Sequence, residues 1–435
     1  MLLPVTLLNF LAPFVSNYYL HHTTDQKPLV TEPTQASLQF ELRHFHAVTP
    51  DGSRVLFHDV NDTIRANAHF STYSTNHGYL SPPIKTRKFR TTKPSNNTLY
   101  ELSRRSKLNA DSIEGLRWDE EEVVGPDVES REVLLELAKM TNNAYLGPGE
   151  VGWYDLEGQW NVSYPFGWEP DDDGFRGHVF ATQDNSTVVL AIKGTSAAFI
   201  GGGGPTARKD KFNDNLLFSC CCARIDWTWT TVCGCYRGGW KCDNDCLEDA
   251  LVEDSLFYPI GTNLYNNITY MYPNANIWLV GHSLGGALAS LLGITYGCPA
   301  VAFESPGEKM AADRLHLRFP KSIQHVTHVY HTADPIAMGT CNGVLSSCAL
   351  GGYAMESRCH LGSTIVYDTV SNLSWAVNIR THTIVTVIEE ILSQPWPHSE
   401  NVGREVPEVT VQDDCVECYS WEFGDFPQQS KRRWH

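Results

Sequence analysis

Positive charge is scarce in this chain: 33 Lys and Arg stand against 50 Asp and Glu, a formal net charge of −17. Binding along a nucleic-acid backbone needs a basic stripe that displaces counterions, so no nucleic-acid partner is expected. The two basic clusters, Lys85 to Arg90 and Lys431 to Arg433, are too short for that role and read as solvated surface. After residue 20 no apolar run reaches membrane-spanning length, so the bulk of the chain is predicted to lie on one side of any membrane. Internal repeats are missing. So are the paired C-x-x-C knuckles of a structural zinc site, because the spacings among Cys233, Cys235, Cys242 and Cys246 are irregular. No metal and no cofactor are predicted.

Apolar residues make up 42% of the chain, with 12 Trp, 18 Tyr and 18 Phe, enough to offset the entropy of ordering a globular body. A length of 435 residues suits one large domain with appendages. Met1 to Leu20 is uncharged and long enough to cross a bilayer. No A-x-A-like cleavage site follows it, which favours a retained signal-anchor over a cleaved signal peptide. Thirteen cysteines, seven of them between Cys220 and Cys246, point to disulfides in an oxidising compartment. The odd count leaves one thiol over, and Cys298 in its apolar stretch is the candidate. Sequons at Asn61, Asn96, Asn161, Asn185, Asn267 and Asn372 fit the same lumenal setting.

Four regions follow: the segment 1–20, a polar region 21–127, a domain over 128–395 and an acidic tail 396–435 read as loosely ordered. In the polar region, an alternating stretch from Leu38 to Phe57 predicts paired strands around Pro50-Asp51-Gly52. Helix-spaced Val133, Leu134, Leu137, Ala138 and Met140 open the domain. The apolar runs Thr187 to Ile192, Ile277 to Val280, Pro299 to Phe303 and Gln324 to Tyr330 predict strands. Their alternation with helices indicates an α/β fold, a mostly parallel sheet with helices on both faces.

One motif carries chemistry. Gly281-His282-Ser283-Leu284-Gly285 is G-x-S-x-G between an apolar strand and an Ala- and Leu-rich helix, the setting of a nucleophile elbow. A serine nucleophile needs a base and an acid, which in this fold follow it in the order acid, then His. Asp334, at a strand end before Pro335, is preferred to the helical Asp313 and to Asp368. Among His360, His382, His398 and His435, the loop before an apolar helix selects His382. His282, His325, His328 and His331 read as packing residues. For the oxyanion hole, the backbone N–H of Leu284 supplies one donor and Thr195, after Lys193-Gly194, the other; its hydroxyl either orients the loop or adds a donor.

Further blocks extend the pattern: Ala191-Ile192-Lys193-Gly194-Thr195, Asp210 to Ile225, Phe303-Glu304-Ser305-Pro306-Gly307, His331-Thr332-Ala333-Asp334-Pro335, Gly351 to Gly362, and Arg380-Thr381-His382-Thr383-Ile384. With the elbow, they make residues 130–395 resemble the class 3 lipases, and within them the fungal autophagy-related lipases that lyse autophagic bodies in the vacuole. The resemblance implies an α/β-hydrolase with the triad Ser283, Asp334 and His382. It also implies a type II membrane protein that travels through endoplasmic reticulum, Golgi and multivesicular bodies to the vacuole, with lipid vesicle membranes as substrate. It says nothing of protein partners. The rivals are an esterase acting on non-lipid esters and an inactive lipid-binding protein on the same scaffold.

Related lipases carry a lid after the oxyanion loop, and here the Cys-rich insertion 201–246 occupies that place. Leu216, Leu217, Phe218, Trp227 and Trp229 are therefore expected to contact lipid, with Gly201 to Gly204 as hinge. Finally, 17 His against a charge of −17 predict that net charge approaches zero near pH 5 and that contact with anionic vesicles strengthens there.

Overall fold

The computed structural model describes residues 34–426 apart from short stretches, the longest of which are 60–83, 157–174 and 197–206. The expected membrane segment 1–20, the cluster Lys431 to Arg433, Asn61, Asn161, Trp227 and the Gly201 to Gly204 hinge lie outside the described residues. Among the described residues, no helix is long and apolar enough to cross a membrane.

The amino-terminal strands are β1 (Thr34–Leu38), β2 (Phe40–Val48), β3 (Val55–Asp59), β4 (Ile84–Pro94) and β5 (Trp118–Pro126). β6 (Gly177–Thr182) and β7 (Thr187–Ile192) follow, then β8 (Tyr236–Gly238) and β9 (Lys241–Asp243) in the cysteine-dense region. β10 (Asn276–His282), β11 (Ala300–Phe303), β12 (Val326–His331) and β13 (Ser363–Tyr367) form the elbow half, with β14 (Val409–Val411) and β15 (Glu422–Gly424) in the tail.

Nine strands make one sheet in the order β14-β13-β12-β11-β10-β7-β6-β2-β3. The four ladders from β13 through to β7 are parallel, and the outer ladders are antiparallel. The expected parallel sheet is thus the middle of a mixed one. Crossovers through helices keep neighbouring strands parallel, whereas tight turns such as the one at Asn185 reverse the chain. The strands predicted around Pro50-Asp51-Gly52 are β2 and β3, which pair from His44 with Asp59 to Val48 with Val55. β2 also pairs with β6, so part of the polar region builds the central sheet.

Both sheet faces are covered, as alternation along single strands shows. Val188, Leu190 and Ile192 of β7 join Leu279 of β10 in one core with the helices Ala207–Phe218, Phe257–Met271 and Leu284–Tyr296. Val189, Ala191, Trp278 and Val280 face the opposite core, with the helix Arg131–Asn143 and Ile384 to Leu392.

Three expectations are corrected here. The cluster Lys85 to Arg90 is solvated only in part: Lys85 and Arg90 are exposed, but the segment belongs to β4 and pairs with the acidic β5. Arg87 is buried and bridges Asp127 at 3.0 Å and Glu129 at 3.1 Å, while Lys88 bonds Glu122 at 2.6 Å. The tail is not loose as far as Phe426: β14 pairs with β13, β15 pairs with β9, and the disulfides Cys220–Cys418 and Cys359–Cys415 staple it to the body. The proposed lipid contacts Leu216, Leu217 and Phe218 are at most 2% exposed and lie in the main core. Trp229 is half-buried against Ala223, Ile225, Ala349 and Ala354. The cysteine-dense region is held by Cys221–Cys242, Cys222–Cys233 and Cys235–Cys246, with Cys221, Cys222, Cys235 and Cys242 buried and Trp240 exposed. These bridges also occupy the four sulfurs weighed for zinc. Cys341–Cys348 is the sixth disulfide, and Cys298 is the free, buried thiol, as expected.

Candidate active site

Ser283 sits between β10 and the helix Leu284–Tyr296 with φ +56° and ψ −129°, a conformation unusual for a side chain larger than glycine. The sharp turn is possible because its neighbours lack side chains: a Cβ on Gly281 would stand 2.2 Å from Gly285 O, and one on Gly285 2.3 Å from Ile192 O. Ser283 N–H donates to Phe303 O at 3.0 Å, which fixes the elbow against β11. Leu284 opens the helix, so its N–H is one of the first-turn donors that no intrahelical carbonyl can satisfy.

The acid and the imidazole arrive from two later loops. Asp334 follows β12, in a turn where its N–H donates back to His331 O at 3.1 Å just ahead of Pro335. His382 ends a 3₁₀ turn, Ile379–Thr381, just before the helical segment Ile384–Thr386. Asn378 N–H and Thr381 Oγ1 both donate to Ala333 O at 3.1 Å, lashing the histidine loop to the acid loop. His382 Nε2 is 2.9 Å from Ser283 Oγ, and His382 Nδ1 is 2.6 Å from Asp334 Oδ2. Asp334 Oδ1 accepts the Ile336 N–H at 2.8 Å. Burial alone would raise the Asp334 carboxyl, but the charge and hydrogen bond of His382 outweigh it and hold it below the usual carboxylate range. Ser283 is 7% exposed and His382 3%, so the triad is buried, with the serine less completely so than Asp334 at 0%.

Gly194 brings the third loop against the elbow: a Cβ there would meet His282 O at 2.2 Å and Ser283 Cβ at 3.2 Å. Lys193 Nζ donates to Gly194 O at 2.8 Å and to Asp210 Oδ2 at 3.2 Å, and Ser196 N–H donates to the same oxygen at 2.8 Å. Thr195 Oγ1 lies 2.6 Å from Asp214 Oδ2. Of the two roles weighed for this hydroxyl, orienting the loop is the one the contact supports. Burial pushes the Asp214 carboxyl up to about 8, which keeps a negative charge out of the neighbourhood of Thr195 at neutral pH.

Ser283, His382, Asp334, Thr195 and Leu284 thus converge, whereas Leu216, Leu217 and Phe218 are buried in the core. His282 is a packing residue, its ring centroid 4.9 Å from that of His382 and its Nδ1 2.7 Å from the Tyr145 hydroxyl. Sequence reasoning gave no role to Tyr145, Asp214 or Glu304, which brace the site, although the last two lie in blocks that carry the family resemblance. Asn96, Asn185 and Asn267 are exposed and Asn372 is half-buried.

A family model described as "Lipase (class 3)" matches residues 255–341. "Putative lipase ATG15" of Cryptococcus neoformans var. neoformans serotype D is 52% identical, over 71% of this chain and 70% of that protein. The protein of the same name in Mycosarcoma maydis is 49% identical, over 74% of this chain and 64% of its own length. Among solved structures, the Lip2 lipase of Yarrowia lipolytica matches with 16% identity and a TM-score of 0.30, over 56% of this chain and 80% of that one.

Proposed function

From the premise that the chain belongs to the class 3 lipase family, among relatives named as lipase ATG15, and is an α/β-hydrolase-type ester hydrolase, we propose that it cleaves carboxylic esters of membrane lipids with Ser283 as nucleophile. The contact chain Ser283 Oγ, His382, Asp334 at the elbow carries this reading. His382 Nε2 takes the serine proton as Oγ attacks the acyl carbon, and Asp334 holds the imidazole in the required tautomer and steadies the charge it acquires. The oxyanion is received by the backbone N–H groups of Leu284 and Thr195, the first aided by the helix dipole. The alcohol or lysolipid leaves with the proton from His382, and water deacylates the serine by the same route in reverse. This chemistry needs neither metal nor cofactor.

The substrate is a phospholipid or triacylglycerol presented by a vesicle, and the biological task is lysis of autophagic bodies and other intravacuolar vesicles. Residues 1–20 act as a signal-anchor, and the protein passes through endoplasmic reticulum, Golgi and multivesicular bodies to the vacuole lumen. Six disulfides support an oxidising route, and the sequons Asn96, Asn185 and Asn267, exposed on the surface, are its glycan acceptors. The test pairs fluorophosphonate labelling with fatty-acid release from phospholipid and triacylglycerol vesicles. Both are expected in the native protein and both are lost in Ser283→Ala. Hydrolysis of short soluble esters without vesicle lipolysis would overturn the lipid assignment and leave an esterase; labelling that survives Ser283→Ala would overturn the nucleophile.

A further inference from the structure

Glu304 follows β11 directly, and its N–H continues the ladder to Val329 O at 3.0 Å. Its φ of +43° lies in the region that favours glycine, so a large acidic residue here needs compensation from its side chain. That side chain is buried, the residue being 1% exposed. Oε2 accepts the His331 N–H at 3.4 Å. Among the described residues, no nitrogen or hydroxyl donor gives Oε1 a hydrogen bond. The nearest ring nitrogen, His331 Nε2, is 3.8 Å away and lies 3.2 Å from Thr381 O instead.

What Glu304 does meet is the carboxyl of Asp334: the Asp334 N–H turns back to His331 O at 3.1 Å while the His331 N–H reaches Glu304 Oε2, and the two acids interact across that turn. Two ionised carboxylates are acceptors only and cannot bond each other, so one proton lies between them. Asp334 already accepts from His382 Nδ1 and Ile336 N–H, two donors that favour its ionised form, whereas Glu304 has one long amide contact. The proton therefore belongs to Glu304. We infer that Glu304 is a positioning residue, a neutral carboxylic acid that donates a hydrogen bond to Asp334 and draws part of its negative charge away from His382. The inference rests on the roles proposed above for Asp334 and His382.

The other titratable groups facing this cluster are His331 and Tyr330 on β12 and His282 at the end of β10. Burial lowers His331 and His282 and raises Tyr330 to about 12, so none supplies a cation that would hold Glu304 ionised. Burial and the charge on Asp334 push the Glu304 carboxyl well above its ordinary range in the same sense. With the donor in place, Asp334 offers less charge to an imidazolium, and the base stays free of its proton further into the acidic range. Without it, the acidic limb of the rate profile moves to higher pH.

The experiment compares kcat/KM against pH on a soluble ester for the full chain and for Glu304→Gln and Glu304→Leu. Gln keeps a neutral donor toward Asp334 and an acceptor toward His331, so its acidic limb is expected to stay in place. Leu removes the donor, and its limb is expected to rise by about half a pH unit or more, with a loss in kcat of about tenfold, the scale of one hydrogen bond to a charged group. A limb that moves to lower pH in Glu304→Gln, as removal of a negative charge would cause, overturns the inference. So does a folded Glu304→Leu whose limb is unmoved. If Glu304→Leu fails to fold, infrared difference spectra decide: the carbonyl stretch of a protonated acid at neutral pH is expected in the native chain and weaker by one group in Glu304→Gln, and its persistence unchanged refutes the assignment. Fluorophosphonate labelling of Ser283 in each variant reads the nucleophile separately. Failure of the catalytic reading is thereby distinguished from failure of the Glu304 reading.

Discussion

Among the described residues, two hydrogen-bonded arrays join serine, histidine and carboxylate. In the first, Ser283 Oγ is 2.9 Å from His382 Nε2, and His382 Nδ1 is 2.6 Å from Asp334. In the second, Ser305 Oγ is 2.9 Å from His328 Nδ1, and His328 Nε2 is 3.0 Å from Glu308 Oε1. Distances alone do not tell them apart. Their surroundings do: Ser305 is 1% exposed and His328 and Glu308 fully buried, and Ser305 lies two residues past the end of β11 and ahead of the short helix Lys309–Arg314, which Glu308 caps, instead of on a strand-to-helix elbow. Glu308 Oε1 also accepts from Ser290 Oγ at 2.6 Å and Leu361 N–H at 3.2 Å, and His360 Nε2 lies 3.0 Å from Ser305 O. The second array is a polar tie among four segments of the core. A triad is thus defined by where its serine sits and by what receives the oxyanion, as much as by the contacts of its members.

The sharpest way to break the comparison is to remove each serine. Ser283→Ala is expected to lower ester hydrolysis by several orders of magnitude with little change in melting temperature, since only the covalent step is lost. Ser305→Ala is expected to leave hydrolysis within a few-fold and to cost about 1 to 3 kcal/mol, because His328 loses a partner in a dry environment. Paired rate and urea-unfolding measurements check both. Equal losses of activity would mean that the second array serves the chemistry after all.

Removing the buried acid ranks next. Glu308→Leu leaves Ser290, His328 and Leu361 N–H facing an apolar group, and a loss of about 3 to 5 kcal/mol is expected from breaking such a buried charged cluster. Unfolding midpoints in urea at neutral pH measure it. A change below about 1 kcal/mol would show that Glu308 is solvated in a way that its burial denies.

How much of this was legible in the sequence differs between the two arrays for a physical reason. The elbow announces itself because its glycines are demanded by backbone collisions only a few residues away, at Gly281 and Gly285. His382 could be placed because a loop before an apolar helix is a local pattern. Ser305, His328 and Glu308 carry no such local demand, and their partnership arises only when β11 and β12 lie side by side. The helix Ala207–Phe218 misled in the opposite direction. It buries Asp210, Asn213 and Asp214 as well as Leu216, Leu217 and Phe218, so no polar face marks which way it turns. The staple Cys220–Cys418 spans 198 residues and could not be read from spacing. The order it gives the tail was missed with it.

Acidification sharpens the comparison through the imidazole beside the second array. Burial, followed by the charge of His328, lowers His360 to about 4 from an ordinary 6.5. The unfolded chain therefore takes up this proton first. The stability His360 contributes by staying neutral is complete above about pH 6.5 and is lost as pH falls toward 4. Between pH 7 and pH 5 the loss is expected to be about 1 to 2 kcal/mol for this group, and the slope of unfolding free energy against pH should fall by up to one proton in His360→Gln. An unchanged slope would remove His360 from the account. His178 and His325 are likewise lowered to about 4, and His282 and His331 are lowered, all chiefly by burial. Five imidazoles thus do not charge as freely as a count of 17 His implies, so histidine contributes fewer positive charges at pH 5 than that count suggests. The expected gain in binding to anionic vesicles is correspondingly smaller than full neutralisation would give, and titration of liposome binding between neutral and acidic pH measures it.

The smallest effect tests what the first array has and the second lacks, a link to a loop at its mouth. The Tyr145 hydroxyl lies 2.7 Å from His282 Nδ1, beside the nucleophile, and a Cβ on Gly194 would stand 2.2 Å from that same oxygen. Gly194 N–H donates to this hydroxyl, so one phenol holds the elbow and the oxyanion loop in register. Burial raises the Tyr145 phenol far above any working pH, and it acts as a fixed dipole, not as an acid. Tyr145→Phe keeps the ring and removes only the oxygen, leaving the Gly194 N–H and the His282 nitrogen without their partner. The cost in stability is expected to be about 1 to 2 kcal/mol. Because the Thr195 N–H is placed by the same loop, kcat is expected to fall a few-fold while KM holds, since a misplaced oxyanion donor is felt in the transition state more than in substrate binding. A matching loss on every ester, with KM constant and labelling of Ser283 slowed in proportion, is the outcome that ties Tyr145 to the oxyanion loop. Loss of stability alone, with kcat intact, would make Tyr145 a packing residue and leave the loop anchored by Lys193 and Asp210.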